Sequence, residues 1–209
     1  METETSLTGT IFLSKLITQY AYIHQKTVGK TADEYIRQIG LRTGEWIEGL
    51  YGDKGEDWTV DRYAEVIVDL KNSIGGHFYI SKVYSDHVVV KATACPFGEV
   101  VQDAPHLCNM TSSVFGGIAS RQFGYSKVVL RKRIAAGDSG CEVAVYFRET
   151  EEEGDVYRDL HYTPNHGSPY HWEEETIRLL NEQLRQSDEL VMKLVNELEE
   201  LREQVKQNE

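Results

Sequence analysis

The apolar residues of this chain change their period at Gly75-Gly76, and that switch restricts the folds available to it. Before the two glycines, apolar residues recur every three or four positions, which is typical of amphipathic helices. After them, apolar and polar residues alternate, which predicts strands. The segments predict helices over 11–25, 31–50, 59–74 and 108–124, and strands over 78–84, 87–94, 126–136 and 141–148. This order predicts an α+β fold, an antiparallel sheet packed against helices.

Local signals refine the pattern. Thr31 is expected to cap the second helix, because Glu34 stands at the capping-box spacing. Gly40 and Gly44 lie four apart on one helix face, which permits another backbone to approach closely. The stretch 137–140 predicts a tight turn between the last two strands.

The chain changes character after residue 148. Residues 149–171 are acidic and then turn-rich, which predicts a linker after a domain of residues 1–148. From Trp172 to residue 209, apolar residues follow the heptad of a parallel two-stranded coiled coil. Its positions a and d hold Ile177, Leu180, Leu184, Ser187, Val191, Leu194, Leu198, Leu201 and Val205. We therefore expect a homodimer; the alternative is an amphipathic helix that folds back on its own domain.

Charge and composition exclude several classes of protein. The 209 residues carry a net charge of −12, which argues against direct nucleic-acid binding. No apolar run has the ~20 residues of a membrane span, and the acidic N-terminus is unlike a secretory signal. A cytoplasmic protein is expected. The heptads stop at residue 209 without a cap, which indicates that an output domain follows in the natural protein.

Three cysteines concentrate the potential chemistry. Cys95, Cys108 and Cys141 are each expected at the end of an element, where distant segments can converge. An odd number of cysteines in a reducing compartment argues against a disulfide framework. Thiolates suit zinc, with an iron–sulfur cluster as the alternative, and His106 is the nearest imidazole for a fourth ligand. The competing interpretation is that the cysteines are buried in the core.

No residue pattern indicates catalysis. The chain has no GxSxG, HExxH, GxGxxG or phosphate-binding loop, and its histidines stand in no local pattern with a nucleophile. We expect a protein without enzymatic activity. A ligand pocket is expected between the sheet and the helices that carry the Gly40/Gly44 and Gly116/Gly117 pairs. Its candidate lining residues are aromatic: Trp46, Phe78, Phe97, Phe115 and Phe123.

A family resemblance enters at 108–147, where C-x-x-x-x-S-V-F-G-G-I-A precedes a strand and G-D-x-G-C-E-V-x-V. The segment resembles the 4-vinyl reductase superfamily of small-molecule-binding modules, which share a fold with a subunit of vesicle-tethering complexes. With CPFG at 95–98, it is most similar to the methanogen output domain branch. The resemblance covers residues 8–148.

The resemblance implies a sensory module of a prokaryotic signalling protein, placed ahead of a kinase, cyclase, phosphatase or transcription-activating domain. In phenol-responsive activators, the related domain binds an aromatic effector beside a zinc held by cysteines and an acidic residue. Cys108 and Cys141 match two ligand positions, whereas Arg133 stands where relatives have another cysteine. Cys95 is the candidate replacement. We expect the module to bind a small-molecule effector, a metal or both through its cysteines and to pass the signal to the C-terminal coiled coil. A reductase suggested only by the superfamily name, an iron–sulfur or thiol redox sensor and a coiled-coil adaptor stay open as alternatives.

Overall fold

The computed structural model describes residues 8–52, 57–158, 160 and 171–207. The chain divides into two compact units, Met1–Thr163 and Pro164–Glu209. The helices of the first unit are α1 (Gly9–Val28), α2 (Thr31–Tyr51), α3 (Val60–Ser73) and α4 (Cys108–Phe123). Short 3-10 helices cover Glu99–Asp103, Pro105–Leu107 and Ile134–Ala136. The second unit contains α5 (His171–Gln207).

The strands form one antiparallel sheet. They are β1 (His77–Val83), β2 (His87–Ala94), β3 (Tyr125–Lys132), β4 (Cys141–Tyr146) and β5 (Asp155–Arg158). Their order is β1-β2-β4-β3-β5, and every pairing is antiparallel. The predicted α+β fold is confirmed.

Helices α3 and α4 pack on one face of this sheet and enclose the main core. Because successive strand residues point to opposite faces, Val88 and Val90 join this core, whereas Val89 belongs to a separate apolar cluster with Val129. Tyr63 of α3 is completely buried in the core, and its hydroxyl donates to the Phe115 carbonyl oxygen 2.9 Å away. This bond satisfies a polar group that would otherwise be costly to bury.

Helix α2 packs against α4 through the predicted glycine pair. A Cβ atom at Gly40 would lie 2.7 Å from the Ser113 Cβ, and one at Gly44 would lie 3.2 Å from the Val114 carbonyl oxygen. The close approach expected from the spacing of these glycines is thus confirmed. It leaves no room between α2 and α4 for a bound molecule at this point.

Local details differ from the sequence-based predictions in three places. Thr31 is the first residue of α2, and Lys30 takes the cap position without a side-chain hydrogen bond. The β3–β4 connection is not a tight turn at 137–140, because the chain adds the 3-10 helix Ile134–Ala136 before Gly137. Residues 155–158, which we predicted as linker, form the edge strand β5; residues 161–170 of that linker lie outside the described residues.

The second unit is a long helix. Helix α5 begins one residue before the predicted start, and the large apolar residues of its heptads are mostly exposed in the single chain. These exposed residues are Ile177, Leu184, Val191, Leu194, Leu198 and Leu201. Pairing of α5 with a second copy stays a prediction. No described helix combines the length and apolar character that crossing a bilayer requires.

The junction between α3 and β1 depends on one side chain. The Asn72 Oδ1 accepts a hydrogen bond from the Phe78 N–H at 2.6 Å, and its Nδ2 donates to the Phe78 carbonyl oxygen at 3.0 Å. We expect Asn72→Ala to lower the free energy of unfolding by about 1–3 kcal/mol, because two backbone groups beside a buried ring lose their partner. Urea denaturation measures the change. The matched control is Ser73→Ala, which removes only a local bond to the Leu70 carbonyl; equal stability of the two variants would contradict the prediction.

Candidate functional site

A small cavity lies where β2 ends and where α4 and β4 begin. Its volume is about 30 Å³. All three cysteines face it, and we call it the thiol pocket. The other lining residues come from several elements: Phe78, Pro96, Phe97, Val101, Leu107, Thr111, Leu130, Lys132, Arg133 and Val143.

The fold brings the cysteines together because each stands at an element end. Cys95 follows β2 directly, Cys108 is the first residue of α4, and Cys141 is the first residue of β4. All three are free thiols. The Cys141 Sγ accepts a long hydrogen bond of 3.5 Å from the Ile134 N–H.

Burial keeps the thiols of Cys95 and Cys108 protonated at neutral pH. It raises the pKa of Cys108 to about 11, with a further contribution from the neighbouring thiols of Cys141 and Cys95. It also raises the pKa of Cys95. Across the described ranges, no group of three or more His, Cys, Asp or Glu side chains is arranged to hold a metal ion. The structure thus unites the three cysteines in one pocket, while their role as metal ligands stays a prediction.

Lys71 is a residue of this site that the sequence analysis missed. Its side chain lies on the buried face of α3, only 5% exposed. The ammonium donates to the Thr111 Oγ1 at 2.8 Å and lies 5.6 Å from the Phe115 ring centroid and 5.9 Å from that of Phe78. Lys71 stands four residues after Ile67 and therefore lies on the same apolar face of α3, which is the sequence signal that its side chain is buried.

Among the described residues, no carboxylate contributes to the electrostatic surroundings of Lys71. Burial lowers the pKa of Lys71 to about 8, and the three nearby thiols oppose that shift. The two charged residues that line the pocket, Lys132 and Arg133, are also basic. Arg133, at the position where relatives have a cysteine, slightly favours the thiolate of Cys108. The thiol pocket is therefore a basic site in an acidic protein.

His106 is not part of the thiol pocket, which corrects the prediction of a fourth ligand there. It lies in the 3-10 helix before α4 and is 7% exposed. Its electrostatic neighbours are Asp33 of α2 and His24 of α1, and the Ala21 backbone of α1 also interacts with its ring. Burial lowers the pKa of His106.

Of the five aromatic residues predicted to line a ligand pocket, two lie at this cavity, and their role in ligand binding stays a prediction. Phe78 and Phe97 line the thiol pocket. Phe115 and Phe123 pack in the main core, and Trp46 is 67% exposed on α2.

The expected cavity near the glycine-bearing helices is filled by protein. The ring of Tyr157, from the unpredicted strand β5, lies against Gly116, where an added Cβ would be 2.1 Å from its Cδ2. Its hydroxyl pairs with the Ser112 Oγ at 2.9 Å. The thiol pocket lies instead at the start of α4, and part of its wall comes from the 95–107 segment, which helical periodicity does not reveal.

The model of methanogen output domain 1 matches residues 49–146. This match, over slightly less than half of the chain, shows that residues 49–146 are similar to that family. The methanogen output domain as matched includes α3, α4, β1–β4 and the complete thiol pocket with Lys71. The resemblance noted from the sequence is confirmed.

Solved structures extend the likeness beyond the matched segment. A trafficking protein particle complex subunit 3 from Naegleria fowleri, covalently bound to palmitic acid, shares 15% identity over 69% of this chain and 98% of its own, with a TM-score of 0.53. The phenol-responsive sensory domain of the transcription activator PoxR, with phenol, shares 16% identity over 69% of this chain and 77% of its own, with a TM-score of 0.54. At these identities the likeness concerns the fold alone. No curated protein matches the sequence significantly.

Proposed function

We propose that this chain is a non-catalytic sensory or output module of a signalling protein, with its effector site in the thiol pocket. The family of residues 49–146 is an output domain by name, and a solved structure of the same fold is a sensory domain. Both support a role in signalling. The residues of the thiol pocket support the effector site.

The observation that carries this proposal is the unbalanced buried charge of Lys71. Taking an ammonium group out of water is costly unless a counter-charge or several hydrogen bonds compensate. Here the ammonium has one hydroxyl partner and two ring faces, and burial favours the neutral thiol at Cys95 and Cys108. A bound species that brings one net negative charge to the pocket would remove this cost.

The size of the pocket limits the occupant. A volume of about 30 Å³ accommodates one or two water-sized species. An aromatic ring such as phenol requires a cavity on the order of 150 Å³. An iron–sulfur cluster or a fatty acyl chain also exceeds the space. The pocket as described fits an ion.

We propose a thiophilic divalent ion, with zinc as the first candidate, held by Cys95, Cys108 and Cys141. Three thiolates and one divalent cation sum to a single negative charge, which the Lys71 ammonium balances. The ion would supply the positive charge that lets the buried thiols release their protons. A water molecule or an effector atom would take the fourth position, because His106 faces α1 and α2 instead.

The lack of a preformed ligand arrangement fits a sensor. The three sulfurs face one cavity but are not arranged to hold a metal ion. Binding would therefore draw the end of β2, the start of α4 and the start of β4 together, which defines two states with different affinity for the ion. A rapid thiol redox sensor is less well supported, because the raised thiol pKa values leave little reactive thiolate.

We further propose that the signal passes to a coiled coil formed by α5 and a second copy of the chain. The exposed apolar heptads of α5 support this pairing. A downstream kinase, cyclase, phosphatase or transcription-activating domain is the expected recipient.

Titration of the chelator-treated full chain with cobalt(II), as a spectroscopic substitute for zinc, tests the effector site. We expect one ion per chain and a thiolate-to-metal absorption band. Each of Cys95→Ser, Cys108→Ser and Cys141→Ser should weaken binding by more than the ~10- to 100-fold typical of a residue that only supports a ligand.

The matched control is His106→Gln, which should bind cobalt as the wild-type chain does, because His106 lies outside the pocket. A wild-type chain that binds no ion at micromolar concentration would refute the metal proposal. So would a cysteine variant with unchanged affinity.

A further inference from the structure

Helix α1 exposes its large apolar residues and buries its small ones. We call the exposed set the α1 apolar face: Phe12, Leu13, Leu16, Ile17, Tyr20 and Ile23, with exposures from 38% to 62%. The side of α1 that packs on the domain carries Thr18 and Ala21, which are almost completely buried. This orientation is the reverse of an ordinary surface helix, whose apolar stripe faces the core. It indicates that another surface covers the α1 apolar face.

We propose that the α1 apolar face binds the same face of a second copy of the chain, forming an interface that does not depend on α5. The two copies would be related by a two-fold axis, so that each contributes an identical surface, as in most homodimers. This contact would be separate from the proposed effector site and from the coiled coil.

The area of the face is sufficient for such a contact. Six large side chains that are each about half exposed present on the order of 500 Å² of apolar surface. That lies near the upper end of the largest patches on monomers, about 300–600 Å². Two such faces bury about 1,000 Å² in total, the size at which specific interfaces begin.

The charge distribution allows two copies to meet at α1. The whole chain carries a net charge of −12, yet residues 5–32 contain no acidic residue and include Lys15, Lys26 and Lys30. Two acidic copies repel each other least where carboxylates are missing.

The position of α1 gives the interface a link to the thiol pocket. The Ser14 hydroxyl donates to the Pro96 carbonyl oxygen at 3.3 Å, and Pro96 lines the pocket. Ala21 packs in a cluster with Val101 and Leu107, which also line it. One side of α1 thus supports the pocket wall, while the other side is available to the partner copy.

Sedimentation of full-length variants tests the interface. A variant of the α5 heptads, Leu194→Glu with Leu198→Glu, removes any coiled coil by placing carboxylates at its seam. We expect this variant to remain a dimer at tens of micromolar. Adding Leu16→Gln and Ile23→Gln should convert it to a monomer, because exposed positions tolerate glutamine within a helix.

The matched control adds Ile74→Gln to the α5 variant; Ile74 is an exposed apolar residue at the end of α3 and should leave the dimer intact. Circular dichroism checks that each variant keeps its helices.

A monomeric α5 variant, or a dimer that persists after the α1 substitutions, would overturn the proposal. So would an α5 variant that is monomeric and floats with phosphatidylserine vesicles through α1, since the partner would then be a lipid surface. Cobalt binding by the same variants tests the effector site independently.

Discussion

Lys71→Met is expected to raise the free energy of unfolding of the metal-free chain by about 2–3 kcal/mol at pH 7. The pKa of Lys71 falls from 10.5 to about 8 on folding, mainly because the ammonium is buried. Each unit of such a difference corresponds to about 1.4 kcal/mol. Methionine has a similar length and no charge, so it fills the same space without that cost, although it gives up the hydrogen bond to Thr111.

The pH dependence distinguishes this cause from a simple gain in packing. Between pH 8 and 10.5 the unfolded chain keeps its proton on Lys71 while the folded chain loses it, so the stability of the wild type rises with pH in this window. Below pH 8 both states are protonated and the cost is constant. The advantage of Lys71→Met should therefore be constant below pH 8 and disappear as the pH approaches 10.5.

Chemical denaturation at several pH values measures both effects. The matched control is Lys82→Met, because Lys82 is exposed on β1 and its ammonium also lies over a ring, 4.7 Å from the Tyr84 centroid. This control should change stability little at any pH. A Lys71→Met variant that is less stable than the wild type at pH 7 would show that the buried charge is already compensated.

Gly116→Ala is expected to destabilise the domain by about 1–3 kcal/mol, the usual cost of overpacking a core. The new methyl group would lie 2.1 Å from the Cδ2 and 2.3 Å from the Cε2 of Tyr157. That ring is almost completely buried and its hydroxyl pairs with Ser112, so it cannot move aside without losing a buried hydrogen bond.

The control for this substitution is Gly49→Ala, in α2. No atom lies within 4 Å of a Cβ built there, and we expect a gain of about 0.5–1 kcal/mol from the better helix propensity of alanine. Thermal denaturation of both variants gives the comparison. Two changes of the same sign would mean that helix propensity, and not contact with Tyr157, decides the effect at Gly116.

The elements that the sequence predicted well are those with several turns or alternations of pattern. Helices α1 to α4 and strands β1 to β4 each contain enough apolar residues to define a period. Strand β5 was missed because its four residues, with only Val156 and Tyr157 apolar, are too short to show one. Its pairing with β3 is a long-range contact, which local sequence does not encode.

The candidate site could be predicted only in part, for a related reason. The cysteines were placed at element ends, and antiparallel topology brought those ends together. His106 was chosen because it is close to Cys108 in sequence, but the 3-10 helix before α4 turns its ring toward α1 and α2. Lys71 was overlooked because a lysine is rarely buried without a partner. Trp46 was expected inside, yet it falls on the exposed face of α2.

The packing of α4 makes this helix a rigid link between the thiol pocket at its start and strand β3 beyond its end. Its residues 112–120 are buried on every side, and the glycine contacts with α2 and β5 leave no space in which the helix could bend. A displacement at Cys108 would therefore be transmitted over about 24 Å, the length of its 16 residues, to Phe123. Directly beyond lies Tyr125, which pairs with Arg158 at the end of β5. A displacement at the thiol pocket would thus reach β5, the strand from which the chain leaves the sheet.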